Sequence, residues 1–180
     1  MRRITASLGF IVCVFSIPAL ADETYQRNTG VSFGSGLGST ALSIRKSLSD
    51  TTLVYAGIVS GYTHNNSTFS GNTSKGISNS YGLTFGARHF LSIEKLSKFI
   101  DIGLSTIYSE SRDSFGNNGY SAQASLSATY GIEYFLATNL SIEGKAGVDI
   151  GYNKFSSDSS KSISKFISFP KADAAITYYW

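Results

Sequence analysis

The chain has 180 residues, a formal net charge of +3, a single cysteine and a mean hydropathy of zero. With Arg2 and Arg3 set aside as part of a leader, thirteen Lys and Arg face twelve Asp and Glu, which gives no electrostatic case for nucleic acid. One cysteine excludes a disulfide framework, and no apolar run beyond the leader approaches the roughly 20 residues of a membrane-crossing helix.

The leader is residues 1–21. Met1-Arg2-Arg3 is a basic start, residues 4–18 are mostly apolar, and Ala19-Leu20-Ala21 is a small-x-small cleavage pattern. The sequence predicts cleavage after Ala21 and a mature chain from Asp22. Cys13 lies inside the apolar run, so no lipoprotein is read. Residues 22–29 are polar and read as a short lead-in.

Strands follow. Residues 30–37 place Val31, Phe33 and Leu37 opposite Ser32, Gly34 and Gly36, because successive side chains on a strand point to opposite faces. Gly38-Ser39 suits a tight turn. Residues 40–48 set Leu42, Ile44 and Leu48 against Ser43, Arg45 and Ser47, with Lys46 on the apolar side near an end, where its long stem can snorkel. Ser49-Asp50-Thr51 turns the chain. Residues 52–64 are ambiguous, since Leu53, Tyr55 and Val59 fit one phase and Val54, Ile58 and Tyr62 the other. Either a bulge or a small apolar patch on the polar side accounts for this. Residues 65–76 are rich in Ser, Asn, Thr and Gly and predict an exposed loop.

Residues 77–91 carry Tyr81, Leu83, Phe85, Ala87, His89 and Leu91 on one face, and 92–97 form a turn. Residues 98–110 place Ile100, Ile102, Leu104 and Tyr108 opposite Asp101, Gly103 and Ser105. A second polar loop covers 111–119. Residues 120–136 give the longest clean alternation, from Tyr120 to Tyr134 against Ser121 to Glu133. After a turn at 137–139, residues 140–152 alternate Leu140, Ile142, Ala146, Val148, Ile150 and Tyr152 with Ser141, Glu143, Lys145 and Asp149. A third polar loop covers 155–162. The last strand, 163–180, sets Ala172, Ala174, Ile176, Tyr178 and Trp180 against Lys171, Asp173, Thr177 and Tyr179. Pro170 lacks a ladder donor, which predicts a bulge there.

This is an all-β plan of eight antiparallel up-and-down strands, in one domain over residues 22–180. Soluble strands usually run about 5–6 residues, whereas a membrane-crossing strand takes about 9–11. Long strands, one apolar face on nearly all of them, short turns at one end and longer loops at the other predict a transmembrane β-barrel, and count against a secreted β-sandwich. The predicted lumen carries Arg45, Arg88, Lys145 and Lys171 with Asp101, Glu133, Glu143, Asp149 and Asp173. Unpaired buried charges cost several kcal/mol each, so this near-balance favours a salt-bridged plug over an ion path. Gly82, Gly86, Gly103, Gly147 and Gly151 would leave room for the long charged chains. Two aromatic girdles are predicted, Tyr81, Tyr108, Tyr120 and Tyr152 toward the long loops and Tyr134, Tyr178 and Trp180 toward the short turns.

These features resemble the small eight-stranded outer-membrane proteins of the OmpA-barrel and OmpX/Ail type, over residues 22–180. The resemblance rests on the leader, the alternating strands and the ending Ile176-Thr177-Tyr178-Tyr179-Trp180. It implies a Gram-negative outer membrane, with lipopolysaccharide and other outer-membrane lipid as surroundings. It also implies that Ile176, Tyr178 and Trp180 form the signal read by the barrel-assembly machinery, where Phe is the commoner last residue. It leaves three functions open. The first is a structural or surface-interaction protein acting through its outer loops on an unknown ligand. The second is a narrow pore for small solutes. The third, less favoured, is an envelope enzyme acting on lipid A, for which His64 beside Ser67 is weighed with no acid to join it, His89 reading as an interfacial ring. No catalytic set, metal site or cofactor site is read.

Overall fold

The computed structural model describes residues 25, 27–36, 39–69, 72–113, 118–157 and 160–180. The expected leader of residues 1–21, the start at Asp22 and the turn glycine Gly38 lie outside them. Eight strands follow one another: β1 (Thr29–Gly36), β2 (Ser39–Ser49), β3 (Thr52–Phe69), β4 (Asn72–Phe90), β5 (Leu96–Asp113), β6 (Asn118–Ala137), β7 (Leu140–Ser157) and β8 (Lys161–Tyr179). Each pairs antiparallel with its neighbour in the chain. β1 closes on β8 from Gly30↔Tyr179 to Gly36↔Asp173, so the sheet is a closed barrel.

The alternation in the sequence becomes the two surfaces of the wall. On β5, Ile100, Ile102 and Leu104 are exposed on the outside while Phe99, Asp101 and Gly103 are buried inside. The same holds on β6, where Leu126, Tyr130 and Ile132 face out and Ser125, Thr129 and Glu133 face in. Closure leaves no strand edge to the membrane where all eight strands are present. The outward row from Tyr81 on β4 to Leu91 just past its end covers about 25 Å of height at the usual strand rise and tilt, which matches the apolar band of outer-membrane barrels.

The ambiguity in residues 52–64 resolves as an apolar lumen patch. β3 keeps one unbroken register against β4 from Thr52↔His89 to Phe69↔Asn72, without a bulge. Leu53 points inward and packs with Phe90 and Phe99. The bulge expected at Pro170 is present. The register steps from Gly147↔Lys171 to Asp149↔Ser168, so Phe169 and Pro170 together face Val148. Ile163, Ile167 and Phe169 are therefore outward above the step, and Ala172, Ala174 and Ile176 below it.

The predicted polar loops need correction. The strands run on through most of 65–76, 111–119 and 155–162. β3 pairs with β4 as far as Phe69↔Asn72, β5 with β6 as far as Arg112↔Asn118, and β7 with β8 as far as Ser156↔Lys161. Polar composition marks contact with water rather than loss of the ladder. A register already fixed by the apolar rows below carries Ser- and Thr-rich segments upward as hairpins. The predicted turn at 92–97 is also shorter, because β5 starts at Leu96 and Ser97 is fully buried.

Candidate functional site: the barrel lumen

Inward rows from all eight strands meet in the lumen, in three layers. The lowest is mostly aromatic. Phe90, Phe99, Phe135 and Tyr179 are buried there with Leu53, and Phe135 stacks on Tyr179 with centroids 5.8 Å apart. Into this layer turns Arg27, which precedes β1. Its guanidinium lies 4.6 Å from the ring centroids of both Phe90 and Phe135. Its Nε donates to Glu133 at 3.1 Å and its Nη2 to Ser97 at 2.6 Å. Glu133 also accepts from Ser141 Oγ at 2.7 Å and from the Tyr179 hydroxyl at 2.8 Å. Ser47 anchors the segment, its backbone N–H donating to the Asn28 carbonyl at 2.9 Å and its hydroxyl to that of Arg27.

The middle layer is a shared ion cluster. Arg45 binds Glu143 through two parallel bonds of 2.7 and 2.8 Å, the geometry in which guanidinium and carboxylate interact most strongly. Arg88 donates to the same carboxylate at 2.6 Å and to Asp101 at 3.1 Å, with its guanidinium carbon 3.6 Å from the centre of the Phe99 ring. Asp101 further accepts from the Tyr55 hydroxyl at 2.6 Å and Lys145 at 3.4 Å. Glu133 and Glu143 are direct partners across β6 and β7. Like charges so placed repel, and here Arg27 serves one carboxylate while Arg45 and Arg88 serve the other.

Above the cluster the lumen widens into a cup of about 160 Å³ whose walls include Ser43, Tyr55, Lys145, Lys171 and Asp173. Lys171 pairs with Asp149 at 3.2 Å, and Asp173 stands opposite Lys145 in the β7–β8 register. All nine charged residues singled out in the sequence thus lie on inward rows. Arg45, Arg88, Asp101, Glu143 and Lys145 come together in one cluster, Lys171 and Asp149 pair above it, and Glu133 lies below it.

Arg27 is the residue that sequence reading misses, since it falls in the polar lead-in. The signal for it is arithmetic: four inward cations against five inward anions leaves one carboxylate without a partner. The glycine expectation needs correction too. A Cβ on Gly86 or Gly103 would meet the Tyr55 ring or hydroxyl, on Gly131 the Phe99 ring and on Gly151 the Phe166 ring, while Gly82 and Gly147 adjoin a neighbouring strand's backbone. The glycines make room for rings and close strands, not for the charged chains.

Outside, Tyr81 and Tyr108 are register partners, and Tyr108 and Tyr120 stack with centroids 6.4 Å apart. Tyr152 and, unforeseen, Tyr62 also face out toward the hairpin end. At the opposite end Tyr178 stacks beside Trp180 at 6.3 Å, and Lys95 lies 5.7 Å from the Tyr134 ring centre. Ile176 sits on the same outward row as Tyr178 and Trp180. His64 is exposed on β3, and the Ser67 side chain lies outside the described residues. His89 is also on the outer face, beside Thr52. Among the described residues no group of three or more His, Cys, Asp or Glu could hold a metal ion.

A closed eight-stranded barrel, apolar outside and charged within, is the architecture of a small outer-membrane protein. No protein-family model and no curated protein sequence matches the chain. Solved structures match its fold. A major outer membrane protein from Thermus thermophilus superposes with a TM-score of 0.57 at 15% identity, over 83% of this chain and 97% of that one. CarO2 of Acinetobacter baumannii gives 0.51 at 9% identity, over 84% and 98%, and CarO of the same organism 0.50 at 10%, over 84% and 97%. At such identities the likeness is one of fold.

Proposed function

We propose that this chain is an integral outer-membrane protein with a sealed lumen, that its role is structural or surface-interacting through the outer hairpins, and that it is not an enzyme. The observation that carries this reading is the double closure beneath the cup. The side chains of Arg27, Arg45, Arg88, Asp101, Glu133 and Glu143 are at most 6% exposed, and they cross the lumen in pairs. Breaking a buried pair is strongly unfavourable, so a solute has no easy passage. On this reading residues 1–21 direct secretion, Ile176, Tyr178 and Trp180 address the chain to the barrel-assembly machinery, and outer-membrane lipid including lipopolysaccharide surrounds the wall.

Two measurements test it. Folded barrel extracted from membranes should run faster on a cold SDS gel than the boiled chain, and should fractionate with outer membrane. Purified protein in planar bilayers should give no discrete conductance steps. Steady single-channel openings by the wild type would replace the sealed barrel with the narrow pore.

A further inference from the structure

β1 and β2 are short. Among the described residues β1 meets β8 no higher than Gly36↔Asp173, and β2 meets β3 no higher than Thr40↔Ser60. β8 continues upward from Asp173 to Lys161 and β3 from Ser60 to Phe69, each with a ladder partner on one side only among the described residues. The wall therefore has a notch above the β1–β2 hairpin. Tyr152, in the outer tyrosine row, pairs with Lys165 of β8, far above Asp173. With the usual strand tilt the floor of the notch lies roughly 10 Å below that row. The notch thus faces the outer leaflet, where hydrocarbon offers nothing to a bare sheet edge. Its occupant must carry polar groups as well as chains.

The wall beside the notch says more. On the outer face of β7–β8, Lys154, Lys161 and Lys165 are all exposed. Lys154 pairs with Ile163, which places Lys161 and Lys165 diagonally on either side of it, at about 7–8 Å. Among the described residues the outward rows of these two strands hold no Asp or Glu, since Glu143, Asp149 and Asp173 all face inward. Between and below the lysines the same row is apolar: Ile163 is 66% exposed, Ile167 75% and Phe169 79%. Phe169 lies on the one-sided stretch of β8.

The geometry points to a lipid site: a phosphorylated glycolipid of the outer leaflet rests on this wall, its phosphates on Lys154, Lys161 and Lys165 and an acyl chain along Ile167 and Phe169 beside the notch. Sugar hydroxyls and amides bring to the open edge the donors and acceptors that plain hydrocarbon lacks. The inference rests on the outer-membrane reading above and names the lipid partner of that barrel.

The test uses the refolded mature chain in detergent, titrated with bisphosphorylated lipid A and with the same lipid after dephosphorylation, read by native mass spectrometry. A one-to-one adduct is expected with the bisphosphorylated form. Loss of its phosphates, or the triple variant K154Q/K161Q/K165Q, should weaken the adduct by about tenfold. The variant K46Q/K95Q/K98Q, altered at the opposite end, should bind like wild type, and excess inorganic phosphate should leave the adduct in place. Equal binding by the lysine variant, equal binding of dephosphorylated lipid to wild type, displacement by phosphate, or a dimer formed without lipid would each overturn the site. The cold-gel shift is scored separately. Protein that shifts but ignores the phosphates defeats the lipid site alone, whereas wild type without a shift defeats the barrel in the membrane.

Discussion

Replacing Arg27 by alanine removes the cation that holds Glu133. The Glu133 side chain is fully buried, and the Ser141 hydroxyl at 2.7 Å and the Tyr179 hydroxyl at 2.8 Å would be its remaining partners. Two neutral donors do not replace a guanidinium. Stripping one member from a buried ion pair costs about 3–5 kcal/mol, and removing the guanidinium from between the two phenyl rings adds roughly 1 kcal/mol. The expected loss for R27A is therefore about 4 kcal/mol or more of unfolding free energy. R27M/E133Q removes both charges while keeping volume, and should stay within about 1–2 kcal/mol of wild type. With R27M and E133Q made singly, the coupling energy of the resulting double-mutant cycle isolates the pair. Urea unfolding of protein refolded into lipid vesicles would be followed by the fluorescence of Trp180, the sole tryptophan, which is 56% exposed on the lower aromatic row. The reasoning fails if R27A lies within about 0.5 kcal/mol of wild type, or if the double variant is as unstable as R27A.

Glu143→Gln leaves Arg45 and Arg88 facing each other across a neutral amide. It should cost about 3–5 kcal/mol in the same urea assay, while the Arg27–Glu133 layer below keeps the planar-bilayer recording silent. Gly131→Ala drives a methyl into the Phe99 ring and the Gly144 carbonyl, so it should destabilise by about 1–3 kcal/mol in the same urea assay, with part recovered in G131A/F99L. Gly144→Ala meets no atom within 4 Å and should be neutral or stabilising by up to about 1 kcal/mol. Deleting Trp180 should leave refolding from urea intact while lowering the amount found in outer-membrane fractions, which separates a targeting role from a structural one.

The rows of the wall are legible in the sequence because lipid and lumen demand opposite chemistry from alternate residues. Ile100, Ile102 and Leu104 against Asp101 and Gly103 admit one orientation. Which charges meet is not legible. Arg45 reaches a carboxylate 98 residues away, and that pairing is fixed by closure and stagger, not by any local pattern. Glu133 and Glu143 are the exception, because the turn read at 137–139 sets the register of their hairpin and places them opposite each other. Arg27 is hidden because a polar segment before the first strand has no alternation to read. The three extended hairpins are hidden because Ser and Thr suit loops and water-facing strands alike.

The β1–β2 hairpin joins the two ends of the structure's logic. It is the lowest part of the wall, yet it and the short segment just before it supply Arg45 and Arg27, two of the three guanidiniums beneath the cup. Both cross to carboxylates on β6 and β7. A taller hairpin would close the wall above without adding to the plug, because the ion layers lie below its turn. A hairpin cut shorter from the top would spare both arginines until it reached Arg45, low on β2 opposite Gly30. Its height is therefore not set by the lumen network. Restoring the missing wall by grafting extra Val-Thr pairs between Gly36 and Ser39 should leave stability and the closed lumen unchanged. The same graft should reduce lipid A binding to the level of the lysine variant, and undiminished binding would show that the lipid does not use the notch.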